Sequence, residues 1–302
     1  MSVFQTREER GIHVHVLSTN KYRINSIVVT LTQPLQEETA TGLALIPYVM
    51  MRGSERYPTP EKLQLATDEL YGASLFGVTE KKGERQILDF TMQVPNEKFL
   101  ATDEKLFQRA LELLSNVMLN PLTVDGGFSP EYVNAEKEQQ KKRINAMIDD
   151  KVSFSRERLL EEMTKGEPYA IPRLGRIDQL DALDPKALYE QYRQVLKTAP
   201  MHVYVIGDVE LDEVADYIFR AFDFERSPQD QFAKVKSTHD TREVKEVVDR
   251  LDVNQGKLNL GFWTSIDAAS DDWTALMVAN GIFGAFPHSK LFLNVREKHS
   301  LA

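Results

Sequence analysis

The sequence predicts an α/β (α+β) chain of two domains. Three observations carry that prediction. Strand-like and helical patterns interleave along the chain, with period-2 segments giving way to period-3.6 segments and back. The 302 residues exceed what one ordinary core organises, yet leave each of two domains enough apolar sequence to bury. Finally, the polar stretch 226–241, RSPQDQFAKVKSTHDT, has the composition of an interdomain linker. The division falls at 228–241, with a first domain over 1–227 and a second over 242–302.

The elements follow in order. Residues 11–19 (GIHVHVLST) and 26–32 (SIVVTLT) alternate or run apolar like strands, and the polar turn 20–23 joins them as a hairpin. A helix is predicted over about 37–52, closed by Gly53 as a left-handed cap. Pro47 sits inside it, where the missing amide and the ring's crowding of the Leu43 carbonyl cost about 3 kcal/mol and predict a kink. Thr59 and Pro60 form a cap and first-position pair for a second helix through Tyr71. Residues 74–80 and 85–94 make a hairpin turning at Lys82 and Gly83. Phe107, Ala110, Leu111, Leu114, Val117 and Met118 share one helical face, which Asn120 and Pro121 close. The mostly polar helix over 130–149 belongs at a surface, an interface or a cavity wall. A helix over 154–165, a loop over 166–180, a helix over 185–196, a strand over 202–206 and a helix over 212–222 complete the first domain. In the second, 243–250 and 257–264 read as strands, and 272–283 and 289–297 as helices.

Composition excludes several functions. The chain has no cysteine, so disulfides and thiolate metal sites are ruled out and a cytoplasmic location is the expectation. A net charge of −9 argues against nucleic acid as a partner, because phosphate backbones need a concentrated positive surface. No apolar run has the length of a membrane span, so no membrane partner is expected. Neither a Walker-type nor a dinucleotide-type glycine string occurs. His13 and His15 share one face of a strand, but two imidazoles without a third ligand rarely hold a metal tightly, and the solvent-facing reading is favoured.

Two segments concentrate the chemistry. Residues 42–54 read GLALIPYVMMRGS and residues 136–144 read EKEQQKKRI. Together they resemble the two active-site helices of insulinase/pitrilysin-type zinc peptidases, the inverzincins that include mitochondrial-processing-peptidase-like proteins. That family writes the first helix as H-x-x-E-H followed by M-L-F-K-G-T, and the second as E-K-x-V-x-x-E-E-I. Further landmarks recur in order: MLNPLT at 118–123, GEPYAIPRLG at 166–175, VYVIGDVELDEV at 203–214 and NQGKLNLGF at 254–262. The resemblance implies two related domains of the metallohydrolase clam type, with helices packed on mostly antiparallel mixed sheets and the second domain incomplete.

Anchored on the K-G-T ending, the resemblance assigns the metal-binding histidines to Ala44 and Tyr48, the general base to Pro47 and a further metal ligand to Arg143. These are degenerate positions. Alanine and proline side chains donate nothing to a metal, and arginine is a permanent cation with no lone pair to offer. A unit charge about 4 Å away in a partly solvated site opposes a divalent ion by roughly 8 kcal/mol. No metal, no cofactor and no catalytic residue is therefore expected in this chain.

Near the end, SKLFLNVREKHSLA at 289–302 resembles the family's S-R-L-F-x-x-L-R-E-K-x-G-L-A-Y. There the arginine and the tyrosine help bind substrate and steady the intermediate. Arg296 matches the arginine, and the tyrosine position would follow Ala302. The resemblance implies an inactive homologue of bacterial type, acting as the non-catalytic, substrate-binding subunit of a heterodimeric peptide-processing protease. Zinc would reside in a metal-bearing homologous partner, and Arg296 would contribute from this side. Two alternatives stand beside it: a peptide-binding or scaffold protein without a catalytic partner, and an active peptidase with an atypical metal site.

Overall fold

The computed structural model describes residues 3–229, 232, 243–252 and 255–301. The chain divides into two units: Met1–Lys236 with Leu251–Asn259, and Ser237–Arg250 with Leu260–Ala302. Most of the expected linker at 228–241 lies outside the described residues.

The first unit is built on a six-stranded sheet. Its strands are β1 (Gln5–Glu9), β2 (Ile12–Ser18), β3 (Ile24–Pro34), β4 (Ser74–Lys82), β5 (Arg85–Pro95) and β8 (Met201–Gly207), in the order β1-β2-β8-β3-β5-β4. A second hairpin pairs β6 (Thr123–Val124) with β7 (Gly127–Phe128). In the large sheet every pairing is antiparallel except β2 with β8, which run parallel. The mixed, mostly antiparallel sheet agrees with the predicted class.

The expected hairpin of 11–19 with 26–32 does not form, because β8 inserts between the two strands and pairs with both. The physical reason is burial. Met201, Val203 and Val205 are fully buried on one face, and a strand this apolar is most stable with neighbours on both sides. Turn 20–23 therefore spans two strand spacings, roughly 10 Å. Strand β1 is polar at every position, with no apolar pattern in its QTREE sequence, which is why sequence periodicity does not reveal it.

Nine helices are found among the described residues: α1 (Glu37–Met50), α2 (Pro60–Asp68), α3 (Leu106–Leu119), α4 (Pro130–Asp149), α5 (Lys151–Met163), α6 (Ile177–Leu180), α7 (Pro185–Thr198), α8 (Leu211–Ala221) and, in the second unit, α9 (Trp273–Asn280). Helices α1, α3, α7 and α8 pack on the sheet and cover Ile12, Val14, Ile27, Val29, Leu88 and Phe90, all fully buried. Helix α4 packs across α1. The α2 start is as predicted, with the Thr59 hydroxyl accepting from the Lys62 amide at 3.3 Å.

Gly53 ends α1, but not as a left-handed cap. Its φ of 155° belongs to a region open essentially to glycine, and a Cβ there would lie 2.7 Å from the Tyr57 carbonyl oxygen. Gly175, with φ 74°, brings loop 166–176 against the start of α1, so closely that a Cβ would sit 2.7 Å from Thr41 Cα.

In the second unit α9 continues into a π-helical turn, Gly281–Ala285, and Phe292–Lys298 is a further π-helix. The strands expected at 243–250 and 257–264 are absent among the described residues. Val244 is 99% exposed and Leu258 84% exposed, so these segments have neither an apolar partner layer nor a neighbouring strand. An extended segment without ladder partners gains nothing over water. Among the described residues no helix is long and apolar enough to cross a membrane.

Candidate functional site

Helices α1 and α4 cross in the first unit and bring together a small ionic cluster. Glu136, Gln140 and Arg143 fall at i, i+4 and i+7 of α4 and so share one face. Glu136 and Gln140 are buried, which explains a helix that is so largely polar: its inner face carries hydrogen bonds, set between the core residues Val133 and Ile144. The Glu136 carboxylate is shared by two arginines. Arg52, just past the end of α1, donates its Nε to Glu136 Oε1 at 2.7 Å. Arg143 donates Nη2 to Glu136 Oε2 at 2.9 Å and Nη1 to Gln140 Oε1 at 3.0 Å. Gln140 is held in turn, its Nε2 donating to the Leu174 carbonyl at 2.8 Å. The Arg143 guanidinium lies over the ring of Tyr48, 3.9 Å from its centroid, a favourable cation–π stack.

Of the four degenerate positions, the fold thus joins Tyr48 and Arg143 directly. Ala44 is fully buried in α1. Pro47 packs on β4 beside Gly77, where a Cβ would come within 3.2 Å of Pro47 Cβ and its carbonyl oxygen. The carbonyl of Leu43, which Pro47 deprives of its helical donor, accepts instead from the buried Thr79 hydroxyl of β4 at 2.9 Å. Helix α1 accordingly runs on through Pro47 to Met50.

These residues do not fit a divalent metal. Ala44 and Pro47 bring no donor atom, Tyr48 is stacked under a guanidinium, and both oxygens of Glu136 are taken by arginines. Among the described residues there is no group of three or more His, Cys, Asp or Glu arranged to hold a metal ion. The α1–α4 pair thus has no ligand set with which to polarise water. Residue identity alone does not single out Arg52 or Glu136. The i, i+4, i+7 run of polar residues on α4 is a sequence signal for Glu136, whereas Arg52 joins it only through the packing of α1 on α4.

Arg296, in the second unit, is exposed at the end of its helix, with its guanidinium over Phe292 at 5.0 Å.

His13 and His15 do not stand alone. The parallel register sets His13 beside His202 and His15 beside Tyr204. The rings form a stack, with centroids 4.7 Å apart for His13 and His202, and 5.2 Å for His15 and His202. His15 Nε2 meets His202 Nδ1 at 2.9 Å, a contact that requires one of the two rings to be neutral. Burial, then the neighbouring His13 and His15, push His202 down from 6.5 to about 4. Burial and then His13 lower His15. Glu8, 3.3 Å from His13 Nδ1, is the facing carboxylate. Because folded-state values lie below unfolded ones, this contribution to stability is complete above about pH 6.5 and is lost as the pH falls towards 4. For half-buried His202 it amounts to roughly 1–2 kcal/mol after solvent screening. Urea unfolding at about pH 7 and pH 4.5 should show His202→Gln losing less stability than the parent over that interval. Equal losses would remove His202 from the account.

The fold and its α1–α4 helix pair define a metallopeptidase-like protein. The chain belongs to the M16 peptidase family, the insulinase/pitrilysin peptidases that the motifs resemble. The family model "Peptidase M16 inactive domain" matches residues 182–302. "Probable inactive metalloprotease YmfF" of Bacillus subtilis (strain 168) is 39% identical over 294 residues, covering 97% of this chain and 68% of that protein. Among solved structures, a conserved protein from Enterococcus faecalis V583 superposes with a TM-score of 0.91 at 30% identity, over 99% of this chain and 70% of that one. A peptidase M16 inactive domain from Pseudomonas fluorescens gives 0.71 at 15% identity, over 98% and 68%, a likeness that speaks to the fold.

Proposed function

We propose that this chain is the non-catalytic, substrate-binding subunit of a cytoplasmic, heterodimeric peptide-processing protease, whose partner is a metal-bearing homologue. The observation that supports this reading most is the Arg52–Glu136–Arg143 cluster on the α1 and α4 helices. In this family the resemblance gives that helix pair to the metal. Here a fixed guanidinium, stacked on Tyr48, takes the space beside the ligand positions, so hydrolytic chemistry has to come from another chain. A zinc-bound water on one subunit and a cationic oxyanion stabiliser on the other form a sound division of labour if a shared cavity positions both. Arg296 is the group this chain would bring to it.

The test is reconstitution. The purified chain alone should carry no stoichiometric zinc and leave a fluorogenic peptide intact, whereas mixing with a metal-bearing M16 homologue from the same source should produce cleavage. In the mixture Arg296→Ala should lower kcat about 100-fold, the scale of losing one oxyanion donor. One zinc per chain together with chelator-sensitive cleavage by the chain alone would overturn the reading. Peptide binding without any activity on mixing would instead favour a scaffold.

A further inference from the structure

We propose that the Arg52–Glu136–Arg143 cluster is an anion site that takes a peptide carboxylate, at the place where catalytic relatives are expected to polarise water. The inference deepens the substrate-binding reading above and rests on it for the word peptide. It rests on the geometry for the word carboxylate.

The charge balance is the first argument. Two guanidiniums face one carboxylate, and no second anion is paired with either among the described residues. The cluster therefore carries a net positive charge in a chain whose net charge is −9. Donor geometry is the second. A guanidinium has five N–H groups. Arg52 directs Nε and Nη2 at Glu136, and Arg143 uses one N–H on Glu136 and one on Gln140, so each keeps the remainder for a ligand. The two side chains are 31% and 33% exposed while Glu136 is 5% exposed. Glu136 is thus sealed inside, while both arginine side chains stay partly open to solvent.

Preorganisation is the third. Arg143 is clamped by the Tyr48 ring, Glu136 and Gln140, and Gln140 by the Leu174 carbonyl. Little side-chain entropy is left to lose on binding. A planar guanidinium fork matches a carboxylate in two parallel hydrogen bonds. The net charge of one unit suits a single carboxylate, whereas the acidic chain as a whole repels a polyanion. The carboxylate is either a peptide's C-terminus or an acidic side chain.

The full chain, labelled with 15N at arginine, would be titrated with N-acetyl-dialanine, its C-terminal amide, and the amide of N-acetyl-Glu-Ala, following the arginine Nε–Hε resonances. Saturable shifts of the Arg52 and Arg143 signals with the free acid, and about tenfold weaker response to its amide, are expected. Response to the glutamate-bearing amide would place the acidic side chain among the ligands, and its silence would single out the C-terminus. Arg143→Gln should weaken binding about tenfold. Glu136→Gln removes the competing anion and should tighten it severalfold, a gain that misfolding does not mimic. Equal response to acid and amide, or a Glu136→Gln chain that retains its circular dichroism yet binds no tighter, would overturn the proposal. If reconstituted activity appears while carboxylate preference does not, the subunit reading stands and this one falls.

Discussion

Tyr192→Ala is expected to destabilise the first unit by about 4 kcal/mol and to lower its melting temperature by roughly 10 °C. Tyr192 lies on α7 and is completely buried. Its ring packs near Phe128, with centroids 6.1 Å apart, and its hydroxyl donates to the Met118 carbonyl at the end of α3 at 2.7 Å. Burial pushes the phenol well above its ordinary range, so it remains a donor at any working pH. Truncation removes a large aromatic volume and leaves a buried carbonyl unpaired. Tyr192→Phe keeps the volume and loses only the hydrogen bond, about 1–2 kcal/mol. Chemical denaturation of both variants separates the two contributions. Equal losses would show that the hydrogen bond, and not the packing, holds α7 to α3.

Thr79→Val should cost about 2 kcal/mol, and Pro47→Ala should remove most of that cost. The substitution is nearly isosteric, but it takes away the hydroxyl that satisfies the Leu43 carbonyl, at a site where Thr79 is 1% exposed. An orphaned buried carbonyl carries its full desolvation penalty. Alanine at 47 restores an amide one helical turn beyond Leu43, so the carbonyl regains a donor inside its own helix. A double-mutant cycle should therefore show coupling of at least about 1 kcal/mol between positions 47 and 79. Additive effects would mean that the Thr79 hydroxyl is not what makes Pro47 tolerable in α1. Because α1 also presents Tyr48 to Arg143, the uncompensated Thr79→Val chain should in addition show a perturbed Arg143 environment.

Much of the first unit is legible in the sequence because its signals are local. The Thr59–Pro60 start, the β4–β5 hairpin and the apolar face of α3 each depend on residues within one or two turns of one another. The α4 helix is legible as polar, but not the reason. Only the approach of Arg52 from beyond α1 shows why Glu136 and Gln140 are buried. Likewise His13 and His15 are visible as a pair on one face, whereas His202 joins them across 187 residues of chain. The strands expected at 243–250 and 257–264 do not form for the converse reason. Their alternation is real, but a strand is a pairing and these have no partner among the described residues.

The sequence by itself determined the α/β class, the family resemblance and the absence of metal-donating side chains at Ala44, Pro47 and Arg143. Side-chain chemistry is a property of residue type and does not wait for folding. Tertiary structure alone decided that β8 separates β2 from β3, that Thr79 rescues the Leu43 carbonyl and that Arg143 meets Tyr48 and Glu136. Each of these joins groups brought together by the packing of separate elements, and their proximity follows from where helices find apolar sheet to cover.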